Sequence, residues 1–285
     1  MKKEWTRRQK AIRRRNLFLA GVGAVAILLI ALLVMLFVWI FNPPKDKSGL
    51  DSSQSSSVQS DEVTSADTEP KEPEKEEKPQ FVTRGNYTLD ANFTNLLLVN
   101  GKNPLPEDYN IEQDLVEIDP KYRNNNNVYR IHKEVYPYVR AMVEAAQAEG
   151  VDLKVWSPYR AYSVQRTLFR NQVNRQIANG VPANEAEDKA ATIVARPGTS
   201  EHQTGLAADF NMANDGFEKT PMYTWMQEHA ADYGFIMRYS REKQPITGVI
   251  HESWHYRFVG IYAAQEIKES GLCLEEYVEL KNKKK

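Results

Sequence analysis

The sequence predicts an α+β domain held behind an apolar segment and a polar linker. Three observations predict it. Helical and strand-like periodicities mix after residue 80 without a repeating strand–helix–strand unit. Residues 17–41 form one uncharged run, LFLAGVGAVAILLIALLVMLFVWIF. Residues 42–80 then contain no aromatic side chain and are dominated by Ser, Asp, Glu, Lys and Pro.

The apolar run is longer than the ~20 residues that a bilayer-spanning helix needs. Lys2, Lys3, Arg7, Arg8, Lys10, Arg13, Arg14 and Arg15 precede it, opposed only by Glu4. A basic flank of this kind predicts residues 1–16 in the cytoplasm and everything after residue 41 outside the cell membrane. A cleaved signal peptide has a shorter apolar region followed by small residues. Here the run ends FVWIFNPPKDK, so the expectation is an uncleaved, single-pass signal-anchor. Residues 42–80 cannot bury enough surface to offset their ordering entropy and are expected to be a disordered linker. Fully extended, such a segment reaches about 130 Å; as a coil its mean span is about 35 Å.

Residues 81–285 are long enough for one sizeable core and are expected to form a single extracytoplasmic domain. Residues 95–99 (NLLLV) read as a short buried strand. Residues 134–149 have helical spacing at Val135, Val139, Met142, Val143 and Ala146, with Pro137 tolerable in the first turn and Gly150 suited to the C-terminal stop. Residues 151–156 alternate as a strand does. Residues 163–179 are expected to be helical up to Gly180, and Asn184 has the composition of an N-cap. Thr220-Pro221 reads as N-cap and first residue of a helix ending near Gly234. Residues 249–259 are β-branched and aromatic between Gly248 and Gly260, and a last helix is expected over 261–270, before Gly271. Asn124–Asn127 reads as a loop.

The net charge of −1 excludes a nucleic-acid binder by charge, and the single Cys273 excludes a disulfide scaffold or a cysteine-rich zinc finger. Cys273 itself is read as a packed thiol. His132 and His229 are read as structural or surface residues on helices, and Trp156, Trp225 and Trp254 as core, Trp254 being able to line a site.

The other histidines have unusual settings. TSEHQTGLAADF (199–210) places His202 and Asp209 seven apart, with Gly205 between them allowing a turn. HESWHYRFVG (251–260) places Glu252 three residues before His255. Two imidazoles and a carboxylate are a common catalytic zinc set with a fourth position for water, and a nearby free carboxylate can take that water's proton. Residues 251–255 also match H-E-x-x-H, which would make His251 and His255 ligands on a helix. The strand-like flanks argue against that reading, and it leaves SEHQTGLAAD without a purpose.

SEHQTGLAAD resembles the S-x-H-x-x-G-x-A-x-D motif of the zinc D-alanyl-D-alanine carboxypeptidases, the family that includes vancomycin-resistance carboxypeptidases and dipeptidases. ESWHYRFVG is similar to that family's E-x-W-H motif, SPYRAYSVQ (157–165) to its S-G-Y-R-S-x-x-x-Q motif, and LLLVNGKNPLPEDY (96–109) to its entry segment. The four blocks occur in the family's order. The resemblance implies the fold shared by lysostaphin-type peptidases, these carboxypeptidases and the hedgehog signalling domain. It implies one Zn²⁺ per chain held by His202, Asp209 and His255, Glu252 as general base, and Arg160 as the group that polarises the scissile carbonyl. Ser200 and Gln165 would lie near the terminal D-alanine. Pro158 replaces the usual Gly, Ala161 a frequent Ser, and His251 precedes the base where many relatives have another residue.

The activity so implied is removal of the C-terminal D-alanine from bacterial peptidoglycan stem pentapeptides. The alternatives are an L,D-carboxypeptidase or D,D-dipeptidase with the same site, or a non-catalytic, zinc-containing wall-binding module. The intact Glu252–Arg160 pair favours an enzyme.

Overall fold

The computed structural model describes residues 78–125 and 127–283. The basic N-terminus, the apolar run 17–41 and nearly all of the linker lie outside these residues. Among the described residues no helix is long and apolar enough to cross a membrane.

The described residues open with a hairpin, β1 (Phe81–Arg84) and β2 (Tyr87–Asp90), and a second antiparallel pair, β3 (Leu115–Glu117) and β4 (Arg130–His132). Helix α1 (Tyr136–Ala148) follows, then β5 (Val155–Ser157), α2 (Tyr162–Ala178) and α3 (Ala183–Ala191). A 3₁₀ turn, Glu201–Thr204, leads into β6 (Ala207–Phe210); α4 (Pro221–His229), β7 (Phe235–Tyr239), β8 (Glu252–Phe258), α5 (Ile261–Ser270) and α6 (Leu274–Lys283) complete the domain. The central sheet is antiparallel throughout, in the order β5-β6-β8-β7. This is the expected α+β class.

Alternation along these strands sorts the sheet into two chemistries. Phe210, Phe235, Tyr256 and Phe258 enter the main core, where α1 contributes Tyr138, Val139, Met142, Val143 and Ala146. The alternate positions Asp209, Arg238, His255 and Arg257 bond to one another or to Glu201 instead. A smaller core joins α5 and α6 through Ala263, Ala264, Ile267, Leu274 and Tyr277.

Local chemistry explains most element ends. Thr220 Oγ1 accepts the Tyr223 N–H at the start of α4, with Pro221 behind it. Gly150, Gly180 and Gly271 end their helices at φ of 80°, 90° and 64°. Gly260 is a stricter requirement. Its φ is 98°, and a Cβ there would meet the Phe93 carbonyl oxygen at 2.3 Å. Gly260→Ala is expected to cost about 3 kcal/mol or more, read as a lowered unfolding midpoint.

Five expectations are corrected. Residues 95–99 form no strand: the Asn95 and Leu97 carbonyls accept from the buried Arg257 guanidinium instead of from a neighbouring strand. The strand expected over 151–156 shortens to Val155–Ser157, because Val151 N–H turns back to the Ala146 carbonyl. Asn184 caps nothing; α3 starts behind Pro182, and Asn184 lies in its first turn. His132 lies in β4 and not on a helix. Trp156 is 39% exposed and not core, whereas Trp225 is buried.

Candidate metal centre and active-site cleft

The two histidine motifs meet because β6 and β8 are neighbours in register, Asp209 standing directly opposite His255. Ser157 on β5 is opposite Asp209 from the other side. His202 arrives from the 3₁₀ turn, whose C-terminal Gly205 has φ 64°. A side chain at Gly205 would also crowd the His132 N–H at 3.0 Å and Leu115 Cδ2 at 3.1 Å. The turn and the strand pairing together bring residues 202, 209 and 255 to one point.

There, ligand atoms of His202, Asp209 and His255 all lie within 4.8 Å of one another, and all three residues are buried. Asp209 Oδ1 is 3.5 Å from His202 Nε2 and 3.1 Å from His255 Nδ1. Zinc bonds of 2.0–2.1 Å in a tetrahedron require ligand atoms about 3.3 Å apart, so this N₂O set fits the ion. The remote ring nitrogens are also committed. His202 Nδ1 donates to the Pro158 carbonyl at 2.7 Å, which leaves Nε2 its lone pair. His255 Nε2 faces Glu201 Oε2 at 3.3 Å, which leaves Nδ1 for the centre. Such outer partners fix the tautomer and orientation of a ligating histidine. Pro158 in place of a family glycine is therefore harmless to this contact, which uses its carbonyl.

The electrostatics suit a cation. Burial alone would raise the Asp209 pKa, but His202 and His255 outweigh it and hold the carboxyl far below the usual range. Burial disfavours a charged His255 ring, yet its hydrogen bonds to Asp209 and Glu201 prevail and raise it to about 9. Burial lowers the His202 pKa. The Glu252 carboxyl is pushed up by burial to about 7. A divalent cation beside it would act in the opposite direction, favouring the carboxylate.

Glu252 begins β8, its Oε2 3.9 Å from His255 Nδ1. Arg160 comes from the loop between β5 and α2 and stands 3.8 Å from Asp209 Oδ2. It donates to Gln165 Oε1 at 2.8 Å and to Ser157 Oγ at 3.0 Å. Gln165 is fully buried and donates onward to the Ala195 carbonyl at 2.7 Å. Both ends of its amide are thus engaged, and they fix the guanidinium. Ser200 is buried beside the cleft, and its side chain does not cap the turn it precedes. All seven expected site residues line one cleft of about 420 Å³, with Tyr239, Trp254 and the Leu168–Arg175 face of α2 on its walls.

The H-E-x-x-H reading is excluded geometrically. Residues 252–258 are a strand, and His251 turns away, donating through Nδ1 to the Tyr239 carbonyl at 2.9 Å and meeting Glu218 at 2.5 Å through Nε2. The sequence reading missed Glu201 and Ser157, whose roles depend on partners far along the chain. For Glu201 the only signal was a charge placed between Ser200 and His202.

Comparison with known proteins points to one family. The family model "VanY: D-alanyl-D-alanine carboxypeptidase" matches residues 128–261. The D-alanyl-D-alanine carboxypeptidase of Enterococcus faecalis is 41% identical over 191 residues, covering 66% of this chain and 67% of that protein. A zinc complex of a vancomycin-resistance D,D-pentapeptidase VanY variant is 43% identical with a TM-score of 0.56, covering 64% of this chain and 98% of that one. VanYB bound to D-alanine-D-alanine is 42% identical with a TM-score of 0.57, covering 65% and 97%. With the metal centre and cleft formed by its own motifs, this chain belongs to the VanY family of D-alanyl-D-alanine carboxypeptidases.

Proposed function

We propose that the protein is a zinc-dependent D,D-carboxypeptidase that removes the C-terminal D-alanine from peptidoglycan stem pentapeptides. The observation that carries this reading is the His202–Asp209–His255 cluster with Glu252 and Arg160 beside it in one cleft. Similarity to VanY proteins, one solved with zinc and another with D-alanine-D-alanine, supports the metal and the substrate class.

His202 Nε2, Asp209 Oδ1 and His255 Nδ1 would hold the ion. Bound zinc supplies a Lewis acid and lowers the pKa of water toward ~7. Glu252 takes a proton as the water oxygen attacks the scissile carbonyl carbon. Arg160 faces the negative charge that collects on the carbonyl oxygen. Its hydrogen bonds to Ser157 and Gln165 keep it oriented before that charge forms, so little reorganisation is needed. Glu252 then returns the proton to the departing amine as the C–N bond breaks, leaving a tetrapeptide carboxylate and free D-alanine. Ser200 and Gln165 stand near the end of the cleft that would receive the terminal residue; Gln165 acts there chiefly by holding Arg160.

Arg160→Lys keeps the charge and loses the fork that reaches Ser157 and Gln165 together. It is expected to lower kcat about 10²–10³-fold with smaller change in KM, measured by steady-state kinetics on an acylated D-Ala-D-Ala peptide.

The test of the reading is metal-dependent turnover by the full-length chain. D-alanine release should cease after chelation and return with one equivalent of zinc; undiminished release after complete chelation would refute it. We also read residues 17–41 as the membrane anchor and 42–80 as a tether that lets the domain reach the wall. Full-length protein should sediment with membranes, and recovery in the soluble fraction would exclude the anchor.

A further inference from the structure

Behind the metal centre lies an ion cluster that the mechanism above does not use. Glu201 is fully buried and accepts from Arg238 Nε at 2.8 Å and Arg257 Nη1 at 3.0 Å through Oε1, while Oε2 faces His255. Arg238 reaches further. Its Nη1 and Nη2 donate to both Glu275 oxygens, at 2.9 and 2.6 Å. Glu275 also accepts from Asn100 Nδ2 at 3.0 Å. Both guanidinium side chains are sealed from solvent, and Glu275 is nearly so.

Glu275 belongs to α6, which lies beyond the 128–261 stretch matched by the family model. The helix is seated by Leu274 and Tyr277 in the smaller core and by the Glu276–Lys243 pair at 2.8 Å. The connected path therefore runs from α6 through Glu275, Arg238 and Glu201 to His255. Bidentate pairing fixes the plane of the Arg238 guanidinium, and that plane fixes where Nε presents its hydrogen to Glu201. Burial of four charges is weak evidence for a stabilising role, since well-packed apolar groups often serve as well. A function in orientation accounts better for a chain of directed contacts ending on one ring nitrogen.

We propose that α6 is a positioning element of the metal centre: Glu275, through Arg238 and Glu201, holds the His255 ring with Nδ1 directed at the ion. This rests on the metal-site reading above. Glu275 is a positioning residue and touches neither ion nor substrate.

The experiment measures zinc affinity of the full-length protein by competition with a chromophoric chelator, and the unfolding midpoint of each metal-free protein. Glu275→Gln is expected to weaken zinc binding about 3–10-fold, less than the 10–100-fold typical of a ligand's direct outer partner. Glu275→Asp keeps the charge and should fall between. Glu276→Gln is the comparison, because it loosens α6 by losing the Lys243 pair without touching Arg238. It should lower the midpoint and leave zinc affinity within twofold of wild type. Equal losses of affinity in the Glu275 and Glu276 variants, or none in Glu275→Gln and Glu275→Asp, would overturn the proposal. Absence of zinc binding by the wild-type chain would instead overturn the metal-site reading.

Discussion

Glu252→Gln should lower kcat by about 10²–10⁴-fold while the protein still binds one zinc per chain. The substitution keeps side-chain volume at a largely enclosed position and removes only the ability to accept and return a proton. Glu252 is not one of the three clustered residues, and its Oε2 lies 3.9 Å from His255 Nδ1. Burial pushes the unmutated carboxyl up to about 7 in the metal-free protein, and a cation beside it would draw it back toward the carboxylate that a base requires. Steady-state D-alanine release and metal analysis on the same sample check both halves. A loss below about tenfold with zinc retained would remove Glu252 from the base role; loss of zinc would make it a ligand.

Asp209→Asn should abolish stoichiometric zinc binding and lower activity by about 10³-fold or more, because the several kcal/mol that a bound cation contributes to the transition state goes with it. Asp209 is the one anion of the ligand set, and its Oδ1 is the shared neighbour of both imidazoles. The amide is isosteric but neutral, so its oxygen offers a cation no charge neutralisation and is the poorer ligand. Loss of the buried carboxylate also leaves Arg160 without its 3.8 Å partner, so the unfolding midpoint should fall. Full zinc occupancy in Asp209→Asn would place the metal elsewhere.

Helix ends were legible in the sequence because single residues decide them: Thr220, Pro221, Gly150, Gly180 and Gly271 all act where their chemistry predicts. The ligand set was legible because the motif spacing maps onto a turn and two paired strands. The strand expected at 95–99 was not to be found, since its apolar residues were visible but the guanidinium that satisfies its carbonyls lies 160 residues away. The β7 strand and α6 were missed for a related reason. Nothing local marks Arg238 or Glu275 as enclosed; only their tertiary pairing does so. The same holds for Arg257, which is fully buried against Glu201 of the turn that carries His202. Gln165 lines the cleft, but its engagement with Arg160 and Ala195 could come only from the folded chain.

The proposed function stands on cleavage of the last D-Ala–D-Ala bond by this metal centre. The most direct measurement is mass analysis of the products when zinc-loaded full-length protein acts on a stem pentapeptide ending in D-Ala-D-Ala, beside the matching tetrapeptide and the free dipeptide. Tetrapeptide plus one D-alanine is expected from the pentapeptide, with little turnover of the other two. D-alanine from the tetrapeptide alone would contradict it and assign an L,D-carboxypeptidase; hydrolysis of the dipeptide alone would assign a dipeptidase. Intact substrates throughout, with zinc bound, would leave a wall-binding module.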